Sequence, residues 1–221
     1  MAKKRSYEDS CGIARALDLV GERWALLIVR ELLLGPKRFT DLRAGLPHVG
    51  PDILSARLRE LEQAGILRRR TLAPPAASKV YELTPRGASL EPVILALGRW
   101  GSGAPFPGQP GSLGADAFAL ALKTLFEPAA ASGLSCRVAL RLSDESSFAV
   151  SIADGRLELA RGEPATPDLI LTSDTATLAS VMWHGGPLDH ALSSGRLTIE
   201  GSRRLARRFL ACFPLAAAAA A

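Results

Sequence analysis

The stretch "GSGAPFPGQPGSLG", Gly101 to Gly114, packs five glycines and three prolines into fourteen residues. Such a run can neither propagate a helix nor supply a strand. Glycine gives up the most backbone freedom on ordering, and proline lacks an amide donor. In a chain of 221 residues it marks a linker at residues 104–114, part flexible and part stiffened by proline. A first domain is expected over 1–103 and a second over 115–215, with an alanine-rich tail at 216–221.

Charge follows the same division. Residues 1–103 hold 17 Lys and Arg against 11 Asp and Glu, a net of +6. Residues 104–221 hold 10 against 11, a net of −1. The excess positive charge therefore lies in the first piece, which points to an anionic partner, nucleic acid first. No apolar run approaches the ~20 residues of a membrane span, so no membrane partner is expected. "MAKKRSYEDSCG" has no apolar core behind its basic residues and is not a secretory signal. Cys11, Cys136 and Cys212 are too dispersed for a disulfide framework. Together these predict a cytoplasmic protein.

The first piece is patterned for helices. A first helix is predicted from about Cys11, with Ile13, Leu17 and Val20 at core spacing. "WALLIVRELLLG" is apolar on most sides and predicts a buried helix, closed by Gly35–Pro36. "RFTDLRAGLP" gives a short third helix. "GPDILSARLRELEQAG" gives a fourth, with Pro51 at its first position and Gly65 as its left-handed stop. The period then changes. "ILRRRTLA" and "KVYELT" alternate as two strands around the turn "PPAAS". "RGASLEPVILALGRWG" predicts one further helix with Leu90, Ile94, Leu97 and Trp100 on one side. Three helices, a fourth, a hairpin and a closing helix form a winged helix-turn-helix arrangement.

On the fourth helix, Leu54, Leu58 and Leu61 share the core side. Ser55, Ala56, Arg57 and Arg59 are the candidates for a DNA groove. Small side chains allow close approach, Ser bonds a phosphate or base edge, and Arg is bidentate to guanine. Arg68, Arg70 and Lys79 on the hairpin, with Arg38 at the start of the third helix, are candidate phosphate contacts. Strand alternation separates Arg68 and Arg70 from Arg69.

The stretches "ALDLVGERWALLIVREL", "RFTDLRAGLP", "LSARLRELEQAGILRR", "KVYELTPRGASLEPV" and "LGRWG" resemble the HxlR family of bacterial winged-helix regulators, relatives of the MarR group. The resemblance implies a homodimer that binds a promoter pseudopalindrome in double-stranded DNA. It also implies that the dimer forms through the first and last helices of the domain. Some members sense oxidants through a cysteine near the N-terminus, the place Cys11 occupies.

After the linker, an apolar helix "DAFALALKTLFEPAAAS" precedes the strands "CRVALRL", "SFAVSIA", "RLELA" and "DLILT". Asp154–Gly155 signals a tight turn, and Ser173 and Asp174 a helix cap. "RLTIEG" is a fifth strand and "SRRLARRFLACF" a last helix. The fold class is α+β: a winged helix followed by a domain with a five-stranded sheet. The run "PDLILTSDTATLASVMWHGGPLDHALSSGRLTIEGSRRLARRFLACF" resembles a sterol-carrier-protein-type domain. That resemblance implies an apolar cavity, for which Phe118, Leu122, Phe126, Met182, Trp183 and Phe209 are the candidate ligand contacts, and a hydrophobic small-molecule effector.

Of His48, His184 and His190, only the last two lie close in sequence, six apart, and no Cys or third His joins them, so neither a metal nor a cofactor is expected. A Gly-rich phosphate loop and a G-x-S-x-G elbow are both missing, and the chain is not expected to be an enzyme. The alternative is an acyl-ligand carrier whose winged helix serves dimerisation only.

Overall fold

The computed structural model describes residues 6–74, 77–104 and 113–215. The chain divides into two compact units, Met1–Ile94 and Leu95–Ala221. Most of the Gly/Pro run, the wing tip at 75–76 and the tail at 216–221 lie outside the described residues.

The first unit contains α1 (Gly12–Val20), α2 (Ala25–Leu32), α3 (Phe39–Gly45) and α4 (Pro51–Gln63). These are followed by β1 (Leu67–Thr71), β2 (Lys79–Leu83) and α5 (Pro85–Ala88), while α6 (Glu91–Ser102) carries the chain across the division. Leu54, Leu58 and Leu61 of α4 enter a core with Ile28, Val29 and Leu42. Gly65, at φ +70°, ends α4. Its amide donates to Glu62 O at 3.0 Å, and the Ile66 amide donates to Leu61 O at 2.9 Å. These are the two bonds of a Schellman motif, and they turn the chain directly into β1.

Two elements depart from the sequence reading. The single helix expected over "RGASLEPVILALGRWG" is divided into α5 and α6. Pro92 has no amide to donate to the Ala88 carbonyl, so one helix cannot pass through both. The Thr84 hydroxyl caps the shorter piece, accepting from Gly87 N at 3.1 Å. The second departure concerns burial. Ile13 and Leu17 of α1 are 73 % and 43 % exposed, and Leu97 and Trp100 of α6 are 49 % and 78 % exposed. Val20 is buried, and Leu90 and Ile94 pack against the core. The apolar spacing of α1 and α6 thus continues onto surface that this chain leaves uncovered.

The hairpin is tied to α2 through Lys37. Its backbone exchanges hydrogen bonds with Tyr81, at 3.0 and 2.8 Å. Its Nζ meets the buried carboxylate of Glu31 at 2.5 Å, and Arg30 holds the other oxygen at 2.8 Å. A buried carboxylate is tolerated when cations satisfy it in this way.

The second unit contains α7 (Ala115–Leu125) and a sheet in the order β5-β4-β3-β6-β7. Its strands are β3 (Cys136–Leu142), β4 (Ser147–Ala153), β5 (Arg156–Arg161), β6 (Leu169–Ser173) and β7 (Leu197–Gly201). β3 and β6 run parallel, and the other neighbours are antiparallel. Between β4 and β5, Asp154 and Gly155 have φ of 51° and 69°, the signature of a type I′ turn. α8 (Thr175–Trp183) begins at Asp174, whose carboxylate accepts from Thr177 N at 2.6 Å. α9 (Leu188–Ser193) and α10 (Arg203–Leu210) complete the unit. The α+β class and five-stranded sheet agree with the sequence reading.

Candidate nucleic-acid interface

Helix α4 turns Asp52, Arg59 and Gln63 outward as exposed side chains, with Ala56 half-buried between them. Opposite lie the three core leucines, so the helix is fixed in rotation by its own apolar stripe. Arg59 folds back along the helix, its Nε donating to the Ser55 carbonyl at 3.3 Å. This bond is long and solvent-exposed, so the guanidinium is positioned at the surface without being neutralised. Ser55 itself is half-buried on the flank.

Arg57 departs from its expected place in a groove. Its side chain is 17 % exposed and is held by Glu60 one turn on and by Glu22 at 3.5 Å. On the wheel it lies towards the core side, and the two carboxylates take up its charge. It stabilises the α4 flank instead of facing outward.

The N-terminus of α4 opens onto a feature that sequence reasoning missed. An open depression of about 770 Å³ lies between α3 and the start of α4. Arg43, Thr40, His48 and Gly50 line it. Gly50 is the N-cap of α4 and supplies no side-chain cap, and Pro51 at the first position carries no amide hydrogen. Arg43 beside this helix start suits a phosphate oxygen, while the Asp52 carboxylate in the first turn opposes one. The available signal was basic and imidazole side chains placed between the two helices of the motif. Arg38, exposed at the N-cap of α3, has its backbone amide bound to Asp41 at 3.0 Å.

On the wing, Arg68 stands opposite Glu82 and Arg70 opposite Val80, while Arg69 stands opposite Tyr81. Arg68 and Arg70 share one face and Arg69 the other, with Lys79 on the Arg69 side. The two expected phosphate contacts are already engaged. Arg68 and Arg70 both bind Glu82, at 2.7 and 2.9 Å. Arg69 binds Glu62 at 3.2 Å and lies over the Tyr81 ring at 5.5 Å. The Glu82 side chain is 14 % exposed, whereas that of Arg68 is more than half and that of Arg70 about half exposed, so the shared carboxylate is the more buried partner of both pairs. Lys79 is exposed.

In the second unit, the residues named as ligand contacts do converge, but on one another. The Phe118 and Trp183 rings are 5.3 Å apart, and Phe213 meets Phe126 and Phe209 at 5.9 and 5.1 Å. The indole of Trp183 donates to Phe213 O at 3.0 Å. Phe118, Leu122 and Phe209 are fully buried, and Met182 is half-buried. These contacts place the named residues against one another in the interior of the second unit.

Cys11 is exposed at the start of α1, whereas Cys136 and Cys212 are buried. His184 and His190 are exposed. Among the described residues no group of three or more His, Cys, Asp or Glu is placed to hold a metal ion. No helix among them is long and apolar enough to cross a membrane.

Residues 19–105 match the family described as HxlR-like helix-turn-helix, and residues 116–217 match the alkyl sulfatase C-terminal family. The chain is 36 % identical over 86 residues to the HTH-type transcriptional regulator YvaP of Bacillus subtilis, covering 39 % of this chain and 80 % of that protein. It is 36 % identical over 85 residues to YodB of Bacillus subtilis, an HTH-type transcriptional regulator, covering 38 % of this chain and 76 % of YodB. Among solved structures, quinone-bound YodB is 34 % identical and covers 40 % of this chain and 93 % of that one, with a TM-score of 0.36. The likenesses to YvaP and YodB cover about 40 % of this chain, and the alkyl sulfatase C-terminal match lies within the second unit.

Proposed function

The chain belongs to the HxlR-like helix-turn-helix family of transcriptional regulators, and from that premise we propose that it binds promoter DNA as a homodimer, with α4 of each subunit in the major groove. The observation that carries the reading is the outward face of α4. Its small Ala56 sits beside the exposed Arg59, next to the depression formed by Arg43, His48 and the uncapped helix start. Arg59 would meet base edges, while Arg38, Arg43, Arg68, Arg70 and Lys79 would meet phosphates. Several exposed apolar residues on α1 and α6, Ile13, Leu17, Leu97 and Trp100, support a second copy as partner. A regulator of this kind works on chromosomal DNA, in the cytoplasm.

The second unit, similar to the alkyl sulfatase C-terminal family, is the candidate effector module. A hydrophobic effector would need Phe118 and Trp183 to part, and only a ligand that favours the parted state could act as a signal. Gel-shift titration with the protein's own promoter fragment and a scrambled duplex, at several salt concentrations, tests the proposal. A preference for the promoter supports it. Equal binding to both duplexes at every salt leaves the acyl-ligand carrier as the better reading.

A further inference from the structure

Helix α10 carries Arg203, Arg204, Arg207 and Arg208 within eight residues. All four are exposed, whereas Ala206, Phe209 and Leu210 are buried. Successive residues are ~100° apart on a helix, so the four arginines occupy one continuous outward arc of about 140°. This concentration stands out because residues 104–221 carry a net charge of −1, and α10 holds four of their ten cations.

Intramolecular pairing does not account for the arc. Arg207 meets Asp189 at 3.1 Å, an exposed pair, and Arg208 donates to the Ser132 carbonyl at 3.2 Å. Arg203 and Arg204 make no hydrogen bond or ion pair among the described residues. Both sit in the first turn of the helix, where the backbone dipole disfavours cations. Helix stability therefore does not explain them.

We propose that the outward face of α10 is a second contact to DNA, made to the phosphate backbone and independent of sequence. This rests on the reading of the chain as a DNA-binding regulator. Arginine suits phosphate because its planar fork binds two oxygens at once. The arc offers no Asn or Gln for reading adenine, and arginines engaged with phosphate carry no sequence information. A bilayer is the weaker fit. The apolar side of α10 is spent on the unit's own core, leaving no face to insert among acyl chains. DNA held by the first unit is tethered to the second by the chain itself, and this raises its local concentration at α10.

The test uses the full chain and fluorescence anisotropy with a promoter duplex and a scrambled duplex over a range of salt. Substituting Arg203→Ala together with Arg204→Ala lowers the slope of log affinity against log salt by about 2, since each lost phosphate contact removes ~0.9. The ratio of promoter to scrambled binding stays at the wild-type value, because phosphate contacts carry no sequence information. Arg203→Lys with Arg204→Lys keeps most of the slope. An alanine variant with an unchanged circular dichroism spectrum and the wild-type slope overturns the proposal. So does a variant that loses only its binding to phosphatidylserine vesicles, which assigns the arc to a membrane surface. A wild-type chain that binds neither duplex overturns the proposed function itself, and the second contact with it.

Discussion

Arg68 donates its Nε hydrogen to Glu82 Oε1 over 2.7 Å, directly across the wing hairpin. Glu82 also holds Arg70, so one carboxylate restrains both arginines of the wing's basic face. If the wing meets DNA as proposed, a phosphate must win both guanidinium groups from Glu82. Replacing Glu82 with Gln removes that competition. Glu82→Gln is expected to tighten binding to any duplex severalfold at low salt and to steepen the salt dependence by up to about two phosphate contacts. Anisotropy titrations of the variant read both quantities. An unchanged slope would mean that the wing stays clear of DNA.

Arg57 belongs to the fold. Its guanidinium joins Glu60 and Glu22, and its side chain is 17 % exposed. Arg57→Ala is expected to cost about 1–2 kcal/mol of stability through lost pairing and packing. Thermal unfolding followed by circular dichroism measures this as a lowered Tm, while DNA affinity below the transition stays near wild type. A large loss of affinity with no change in Tm would return Arg57 to the groove.

The apolar surfaces of α1 and α6 give a third expectation. Leu17 is 43 % exposed and Trp100 is 78 % exposed, both in helices otherwise patterned for burial. If a second copy covers them, Leu17→Glu or Trp100→Glu removes an anchor worth about 2 kcal/mol. That raises the dimer dissociation constant ~30-fold. Sedimentation equilibrium of the two variants beside the parent protein decides it, and an association constant untouched by either change places the interface elsewhere.

The three thiols differ by environment. Burial pushes the Cys136 thiol up to about 11, helped by the nearby Cys212, whose own thiol is raised by burial as well. Both therefore stay protonated at pH 8, whereas Cys11 is exposed. A thiol-reactive chromogenic disulfide at pH 8 is expected to label one cysteine quickly and two only on unfolding. The Cys11→Ser variant should lose the fast phase. Between pH 9 and about 11 the unfolded chain releases the Cys136 proton while the folded chain keeps it, so stability falls as pH rises through that window. Two fast thiols in the native protein would contradict the buried placement.

Much of this fold was legible from residue order. Leu54, Leu58 and Leu61 fixed the rotation of α4, Gly65 its end, and Asp154–Gly155 the β4–β5 turn, because each depends on local spacing or local backbone geometry. What stayed hidden depends on partners distant in sequence. Nothing near Arg57 in the chain reveals that Glu22 reaches it, and Glu82 is fourteen residues from Arg68. Apolar spacing in α1 and α6 showed which residues shun water without showing that this chain leaves them uncovered. Half-by-half charge totals likewise concealed α10, where four arginines are diluted by the acidic residues of the same segment.

In the proposed function, Arg59 on α4 reads base edges. The measurement is the ratio of affinities for the promoter duplex and a scrambled duplex, compared between the parent protein and Arg59→Ala at one salt concentration. Loss of a base contact should reduce that discrimination by about 1–3 kcal/mol, roughly 5–150-fold, with the variant's Tm unchanged. A variant that keeps the parent's full discrimination would show that α4 does not read the sequence through Arg59.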